Sequence, residues 1–119
     1  MLNLDTHILI HALTGELTPR ERTLLTSRSW GISAIVLWEM AKLSQLGRIE
    51  LDGDSQEFRR LLSRGHVWPL EWRVCEAIRS LDFRSDPADE LIAATSIVHQ
   101  VPLLTRDRRL RKSRVVPLA

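Results

Sequence analysis

Four acidic residues lie just after predicted strands or near the starts of predicted helices, and these positions meet at one edge of a sheet. Asp5 closes the first predicted strand, and Glu39 falls in the second turn of the helix after the second strand. Asp89 lies in the first turn of the most apolar helix, and Asp107 follows the apolar pair Leu103-Leu104. In an open parallel sheet the ligand crevice lies beyond the carboxyl ends of the strands. We therefore expect the four carboxylates to converge on one cleft.

Such a convergence needs a cation. Two like charges about 4 Å apart repel by about 4 kcal/mol at an effective dielectric near 20, so an unneutralised cluster destabilises the fold or takes up protons. Oxygen-only ligands select a hard divalent ion, with Mg²⁺ the natural occupant and Mn²⁺ next. Such an ion lowers the pKa of a bound water and stabilises charge on a phosphate. The acids therefore indicate hydrolysis of phosphodiester bonds.

Each acid also has a purely structural interpretation. Asp86 stands before a proline as a good helix N-cap, and an acid in the next turn, such as Asp89, is favoured by the helix dipole. Asp5 could cap its own helix, and Asp107 could be a turn residue. Glu39 is the hardest to explain this way, because it is flanked by apolar residues where a solvated acid has less reason to sit.

The basic residues cluster at the carboxyl end of the sequence. The chain has a net charge of +2 and 17 basic residues, of which only Lys42 and Lys112 are lysine. Around the single acid Asp107 lie Arg106, Arg108, Arg109, Arg111, Lys112 and Arg114. A run of this kind is usually a solvated face or tail, and it is a nucleic-acid footprint only where an active site lies beside it.

Other kinds of site are less well supported by the residue spacing. His7 and His11 share a helix face, but no glutamate follows His7 as in the zinc-protease pattern. Ser33 and Ser96 lack the glycine-flanked nucleophile elbow, and Cys75 lies on an apolar helix face. The sequence also has no glycine-rich phosphate loop. Zinc, nucleophilic and nucleotide-binding sites are therefore disfavoured.

Length and composition predict one globular domain. At 119 residues, with 44% hydrophobic and 27% charged residues, the chain can bury a core without disulfides, so we expect a single nuclease-like domain over residues 1–119. No apolar run approaches the roughly 18 residues of a membrane span. The first residues show no basic leader, and Cys75 is the only cysteine. We expect no secretory signal and a cytoplasmic location.

Strands alternate with helices along the chain. This order predicts parallel βαβ units and hence a three-layer α/β/α sandwich with a mainly parallel central sheet. The predicted strands are Leu2–Leu4, Ser29–Ile32, His66–Trp68, Leu103–Thr105 and Arg114–Val116. The predicted helices are Thr6–Leu13, one capped by Thr18 with Pro19 and Glu21, Ala34–Leu46, Ser55–Arg64, Glu71–Leu81 and Ala88–Gln100. Gly47 ends one helix, and Asp52-Gly53 predicts a turn.

Apolar spacing also predicts which side chains point into the core. In the helix Ala34–Leu46 the predicted inward positions are Ile35, Leu37, Trp38, Ala41 and Met40. In the helix from Glu71 they are Val74, Cys75, Ile78 and Leu81. The tryptophans at positions 30, 38, 68 and 72 are expected to pack in the core, although an exposed indole could stack on a base.

Three blocks of sequence together resemble a known family. LNLDTHILI, ISAIVLWEMAKLSQLGRIEL and DPADELIAATSIVHQVPLLTRD are similar to the signature blocks of the PIN-domain ribonucleases, and within them of the VapC toxins of type II toxin-antitoxin modules. The resemblance implies that the family's acids fall on Asp5, Glu39, Asp89 and Asp107. His11 stands where an aromatic residue is common, and Ala88 replaces a bulky one, but neither change removes an expected metal ligand.

The resemblance also implies partners for these acids. Asp86 is similar to an acid often seen near the metal in these toxins, and small hydroxyl positions that can orient a carboxylate fall on Thr6, Ser33 and Thr105. Members are Mg²⁺- or Mn²⁺-dependent endoribonucleases. They are typically homodimers and are inhibited by a VapB antitoxin whose C-terminal segment occupies the toxin groove.

The resulting hypothesis is a PIN-like endoribonuclease toxin. In it Asp5, Glu39 and Asp89 hold the ion and Asp107 completes the cluster, while the candidates for RNA backbone contacts are Arg106, Arg108, Arg109 and Arg111. One alternative is a non-catalytic PIN-like module that binds RNA or protein. A receiver-like or phosphatase domain ranks lower, because it needs an acidic pair after the first strand and a lysine after a later strand.

Overall fold

The computed structural model describes residues 1–51 and 55–119, and it has an α/β fold built on a parallel four-stranded sheet. The predicted turn at Asp52-Gly53 lies outside the described residues. The strands are β1 (Leu2–Leu4), β2 (Trp30–Ser33), β3 (His66–Trp68) and β4 (Leu103–Leu104). The helices are α1 (Thr6–Thr14), α2 (Pro19–Ser27), α3 (Ala34–Gln45), α4 (Gln56–Arg64), α5 (Trp72–Glu76), α6 (Pro87–His99) and α7 (Arg108–Arg111).

The sheet order is β3-β2-β1-β4, with every neighbouring pair parallel. Strand β1 is therefore central, and its Asn3 pairs with Gly31 on one side and Leu103 on the other. This arrangement brings the carboxyl ends of β1, β2 and β4 side by side at one edge. The predicted α/β sandwich with its parallel sheet is confirmed.

The predicted final strand near Arg114–Val116 is wrong. Pairing with β4 occurs instead at Leu118, which forms a parallel bridge with Leu103. The Leu103 amide donates to the Pro117 carbonyl at 2.9 Å, and the Ala119 amide donates to the Leu103 carbonyl at 2.9 Å. Val116, which lies just before this segment, is buried in the core. Its apolar side chain therefore reflects core packing and not a strand.

The helix starts follow local side-chain chemistry. The predicted capping box at α2 is present, because the Thr18 hydroxyl accepts from the Glu21 amide and the Glu21 carboxylate accepts from the Thr18 amide. Gly15 ends α1 with φ of 74°, a left-handed conformation that costs little for glycine.

The predicted helix Glu71–Leu81 is divided, since α5 passes into a 3-10 turn at Ala77–Ser80.

The inward face predicted for α3 is partly wrong. Val36 and Met40, four residues apart, are fully buried, so this face of the helix packs on the sheet. Trp38 lies about 200° around the helix from Val36 and is 58% exposed. Ala41 is also exposed. Of the four tryptophans, Trp30 and Trp68 are buried, whereas Trp38 and Trp72 face solvent.

The core surrounds the central strand. Its fully buried side chains come from both faces of the sheet and include Leu2, Leu4, Ile8, Leu9, Ile32, Val36, Met40, Ile92, Leu103, Leu104 and Leu110. The Asn3 amide group donates to the Ile92 carbonyl and to the Ser96 hydroxyl, each at 2.9 Å, which fixes α6 against β1. Within the described residues, no helix is long and apolar enough to cross a membrane.

Candidate active site

Asp5 lies at the carboxyl end of β1 and is 3% exposed. One carboxylate oxygen, Oδ1, accepts from the Thr6 amide at 2.8 Å, and the other, Oδ2, accepts from the Thr105 hydroxyl at 2.6 Å. The first of these bonds belongs to the start of α1, so the capping interpretation is correct for this oxygen. The second bond joins the ends of β1 and β4, and it orients the carboxylate at the edge of the sheet.

Asp107 follows β4 and begins the short helix α7, which the sequence did not predict. Its Oδ1 accepts from the amides of Arg109 and Leu110, at 2.8 and 3.1 Å. Its own amide donates to the Thr105 hydroxyl at 3.0 Å. The Thr105 hydroxyl therefore connects the backbone of Asp107 to the side chain of Asp5. Asp107 is a helix cap as well as a member of the acidic group, and it lines an open cavity at the surface.

Glu39 sits in the second turn of α3 and is partly buried. Its Oε1 accepts a short hydrogen bond from the Thr6 hydroxyl. Burial raises the pKa of the Glu39 carboxyl, and the nearby charges of Asp89 and Asp5 raise it further, whereas the Thr6 hydrogen bond and His7 lower it. The contact between Thr6 and Glu39 is the one expected of a hydroxyl that orients a carboxylate.

Asp89 lies in the first turn of α6 and is also partly buried. Burial raises its pKa, opposed by a 2.8 Å hydrogen bond from the Ser85 hydroxyl, while the charges of Asp5, Asp107 and Asp86 raise it further. Ser85 was not singled out from the sequence, although it stands four residues before Asp89. A short hydroxyl side chain just before a helix start, where such residues commonly form local hydrogen bonds, is the signal that could have identified it.

These mutual effects show that the four acids lie near one another at the carboxyl edge of the sheet. Asp89 is influenced by Asp5 and Asp107, and Glu39 is influenced by Asp5 and Asp89. Two cavities open beside the group. One, of about 230 Å³, is lined by Asp5, His7, His11, Arg106 and Asp107. The other, of about 280 Å³, is lined by Trp38, Glu39, Lys42, Leu43, Asp86, Pro87 and Ala88.

Of the predicted supporting residues, Ser33 caps a helix and Asp86 influences Asp89 by its charge. The Ser33 hydroxyl accepts from the Ile35 amide at 3.3 Å, so it caps α3. Asp86 occupies the N-cap position of α6, but its side chain makes no capping hydrogen bond. Its carboxylate is exposed and instead contributes negative charge beside Asp89. Ser33 thus caps the helix that carries Glu39, and the charge of Asp86 acts on Asp89 through space.

The basic run is folded onto the domain. Arg106 forms a 2.6 Å ion pair with the buried carboxylate of Glu21 and donates to the Glu16 carbonyl at 3.0 Å. Arg109 donates to the Arg84 carbonyl at 3.0 Å. Arg111 donates to the Thr105 carbonyl at 3.2 Å, and Arg108 is exposed. The run is therefore not a free tail, and its contact with RNA stays a prediction.

The Glu21–Arg106 pair was missed at the level of sequence. The Arg106 hydrogen bonds lower the pKa of Glu21 to about 2, against the opposing effect of burial, and the Thr18 amide and hydroxyl lower it as well. The pair ties the start of α2 to the loop that carries Asp107. We regard Glu21 and Arg106 as residues that position this loop.

The donor chemistry fits a hard divalent cation. In the part of the chain that the structure describes, no group of three or more acids, histidines or cysteines is arranged to hold a metal ion. Mg²⁺, however, usually keeps several waters and takes only one or two carboxylates together with substrate phosphate. The raised pKa values of Glu39 and Asp89 point the same way, because a neighbouring cation relieves the repulsion that causes part of each shift.

This chain is similar in sequence to one known protein and in fold to several solved structures. The chain is 36% identical over 87 residues to Ribonuclease VapC22 of Mycobacterium tuberculosis, an alignment that covers 70% of this chain and 66% of that protein, just under two thirds. The structure of VapBC2 from Rickettsia felis bound to a DNA fragment from their promoter has a TM-score of 0.72 at 18% identity, covering 100% of this chain and 98% of that one. That likeness concerns the fold alone.

FitAcB from Neisseria gonorrhoeae is 26% identical, with a TM-score of 0.64, and the match covers 90% of this chain and 88% of that one. The PIN domain pattern matches residues 3–115, a segment that begins in β1 and ends after α7. It therefore includes the strands, the connecting helices and the four acids described above. The match extends over nearly the whole sequence, and the chain belongs to the PIN-domain family.

Proposed function

We propose that this protein is a metal-dependent endoribonuclease toxin that hydrolyses RNA phosphodiester bonds. The observation that carries the proposal is the group of acids at the carboxyl edge of the sheet, two of which have a raised pKa through burial and mutual repulsion. Membership of the PIN-domain family and likeness to a protein named as a ribonuclease support the same activity.

We assign the cation, Mg²⁺ or Mn²⁺, to Asp5, Glu39 and Asp89, directly or through water, with Asp107 completing the group. The bound cation supplies an activated water and neutralises charge on the phosphate. The chain's own hydroxyls hold the carboxylates in place: Thr105 orients Asp5, and Thr6 orients Glu39. Preorganisation of this kind removes a reorganisation cost when substrate arrives.

The proposal includes a protein partner. The Rickettsia felis structure, which has the same fold, contains VapBC2 bound to DNA from their promoter. We propose that a VapB-type antitoxin inhibits this chain by covering the acidic group, that the enzyme works as a homodimer, and that it acts in the cytoplasm. Copurification with the product of a neighbouring small gene tests the partner, and light scattering of the purified chain tests the dimer.

The decisive experiment compares Asp89→Asn with the wild type. Asparagine keeps the size of the side chain and its oxygen for Ser85 but removes the charge that holds the cation. We expect metal-dependent cleavage of a mixed RNA substrate to fall by more than the roughly 10-fold to 100-fold loss that is typical when partners of metal ligands are removed. Electrophoresis of RNA incubated with Mg²⁺, Mn²⁺ or EDTA measures it.

A matched control is Glu76→Gln, which removes an exposed carboxylate on α5, a helix that lines neither of the two cavities beside the acids. This variant should cleave RNA as the wild type does. Thermal unfolding of both variants confirms that they are folded. Full metal-dependent cleavage by folded Asp89→Asn would contradict the assignment of this residue.

The alternative is a non-catalytic PIN-like module that binds RNA or protein. The observation that favours it is the use of Asp107 Oδ1 as a helix cap, which leaves that acid a structural reason to be present. The same cleavage assay separates the two functions. A wild-type protein that binds RNA equally in Mg²⁺ and EDTA and never cleaves it supports the non-catalytic module.

A further inference from the structure

We propose that Trp38 stacks on a nucleobase of the RNA next to the phosphate held at the acidic group. This inference rests on the proposed ribonuclease function and names a residue that positions the substrate. Trp38 is 58% exposed on α3 and directly precedes Glu39. Trp38 and Glu39 also line the same cavity, so the indole lies beside the acidic group.

Trp38 lines two open cavities. The first is the cavity of about 280 Å³ that it shares with Glu39 of α3 and Asp86 at the start of α6. The second is a cavity of about 340 Å³, which it shares with Ala41 and Gln45 of its own helix. An aromatic ring with open space beside it, next to a proposed cleavage site, is arranged as aromatic rings are in proteins that bind single-stranded nucleic acid.

Charge decides which part of the RNA enters the first cavity. Its lining includes two acids, Glu39 and Asp86, and one base, Lys42, so an RNA phosphate beside the two acids is repelled unless a cation lies between them. A nucleobase is uncharged, and its flat face matches the indole and the apolar surface of Leu43, Pro87 and Ala88. The base therefore occupies the cavity while the neighbouring phosphate lies at the cation.

Lys42 supplies the positive charge on the same side. It lines both cavities and follows Trp38 by four residues, so the two side chains share one face of α3. Its ammonium group donates to Gln45 Oε1 at 2.8 Å on the exposed surface. A phosphate on the far side of the stacked base can replace this neutral partner, which gives the RNA backbone a contact at the exposed surface that the two cavities share.

The test measures binding of defined probes with Ca²⁺ in place of Mg²⁺, which slows cleavage. The probes are fluorescein-labelled RNAs of roughly 12 nucleotides, a length within the usual site sizes, made either of uridine or of abasic ribose phosphate. Trp38→Ala should weaken binding of oligouridine by about 5-fold to 100-fold, the range expected for one lost stacking contact. Binding of the abasic probe should not change.

Two further variants act as controls. Trp38→Phe keeps an aromatic ring and should recover most of the affinity for oligouridine. Trp72→Ala removes an indole that is 71% exposed on α5, which lines neither of the cavities beside Trp38, and it should leave binding of both probes unchanged. Because both tryptophans are exposed, all three variants should fold, and thermal unfolding checks this.

The outcomes separate this inference from the proposed function. If the wild type cleaves RNA but Trp38→Ala binds oligouridine as tightly as before, or loses affinity for both probes equally, stacking is wrong while the ribonuclease stands. If Trp38→Ala weakens binding of an antitoxin but not of RNA, the indole contacts protein, and the inference is again overturned. If the wild type neither binds nor cleaves RNA, both the stacking inference and the proposed ribonuclease function are wrong.

Discussion

Asp89 is a partly buried acid whose proposed role in holding a cation opposes the stability of the metal-free fold. It is partly buried among the charges of Asp5, Asp107 and Asp86, and its pKa is raised from 3.8 by burial first and by those charges next. The Ser85 hydrogen bond offsets only part of this cost. A carboxylate in such a position destabilises the metal-free fold, which is the usual sign of a site kept for binding.

The metal-free Asp89→Asn variant should therefore be more stable than the wild type at neutral pH. A raised folded pKa contributes stability that is fully present below the unfolded pKa of 3.8 and is lost as pH rises through the folded value. At pH 7 in EDTA we therefore expect a higher free energy of unfolding for Asp89→Asn than for the wild type. The gain should vanish below pH 3.8, where both side chains are neutral.

Urea unfolding at a series of pH values measures this difference. Glu76→Gln, at an exposed position, should show no such gain. A loss of stability in Asp89→Asn at pH 7 would mean that the carboxylate is stabilised by contacts other than those seen here.

At the scale of elements, the loop after β4 is fastened to the rest of the domain at two points. The Thr105 hydroxyl joins it to Asp5 at the end of β1, and the Arg106 guanidinium joins it to Glu21 at the start of α2. Glu21 in turn completes the capping box of α2. One buried carboxylate thus fixes a helix start and the segment that carries Asp107.

The ion pair between Glu21 and Arg106 should make the domain sensitive to acid. The lowered pKa of Glu21, from 4.5 to about 2, contributes stability that is present above pH 4.5 and is lost as pH falls toward 2. Glu21→Gln should lower the free energy of unfolding at pH 7 by about 2 kcal/mol, since one partner of the pair is buried and the other is partly exposed. Below pH 2 the variant and the wild type should be equally stable.

Chemical unfolding between pH 2 and pH 7 measures this dependence. Glu57→Gln, an exposed acid in the first turn of α4, is the comparison, and it should leave the pH dependence unchanged. Equal acid sensitivity in Glu21→Gln and the wild type would show that the pair contributes nothing to folding.

At the scale of the whole molecule, the parallel sheet gathers acids that are far apart in sequence. Because β1 is central and is flanked by β2 and β4, the residues that follow these strands lie side by side. The first turn of α6 adds Asp89 to the same edge. The cost is a set of like charges on the metal-free domain, and a cation bound there should stabilise the fold as a whole.

Mn²⁺ or Mg²⁺ should therefore raise the unfolding temperature. A ligand present at about 100 times its dissociation constant adds about 2.7 kcal/mol, which is a shift on the order of 10 °C for a domain of this size. Asp89→Asn should show a much smaller shift, whereas Glu76→Gln should respond as the wild type does. Calorimetric melting with metal and with EDTA provides the measurement, and an equal shift in all three proteins would place the cation elsewhere.

The sequence by itself determined most of the elements and the candidate acids. Strand–acid–helix order is a local property, and so are helix caps such as Thr18 with Glu21, so both could be predicted from neighbouring residues. The parallel sheet followed from the alternation of strands and helices. The roles of Asp5, Glu39, Asp89 and Asp107 in holding metal stay predictions, whereas their gathering at one edge follows from the strand order.

Only the tertiary structure decided which residues support or accompany these acids. Thr105 and Asp5 are 100 positions apart, and Arg106 and Glu21 are 85 apart, so no local pattern could pair them. The exposure of Trp38 depended on which face of α3 met the sheet, and apolar spacing had wrongly predicted that Trp38 faces inward. The pairing of Leu118 with β4 was decided by the sheet edge left open beside Leu103. Each of these features depends on contacts between elements that are far apart in the sequence, whereas the structure of each element is set mainly by its neighbouring residues.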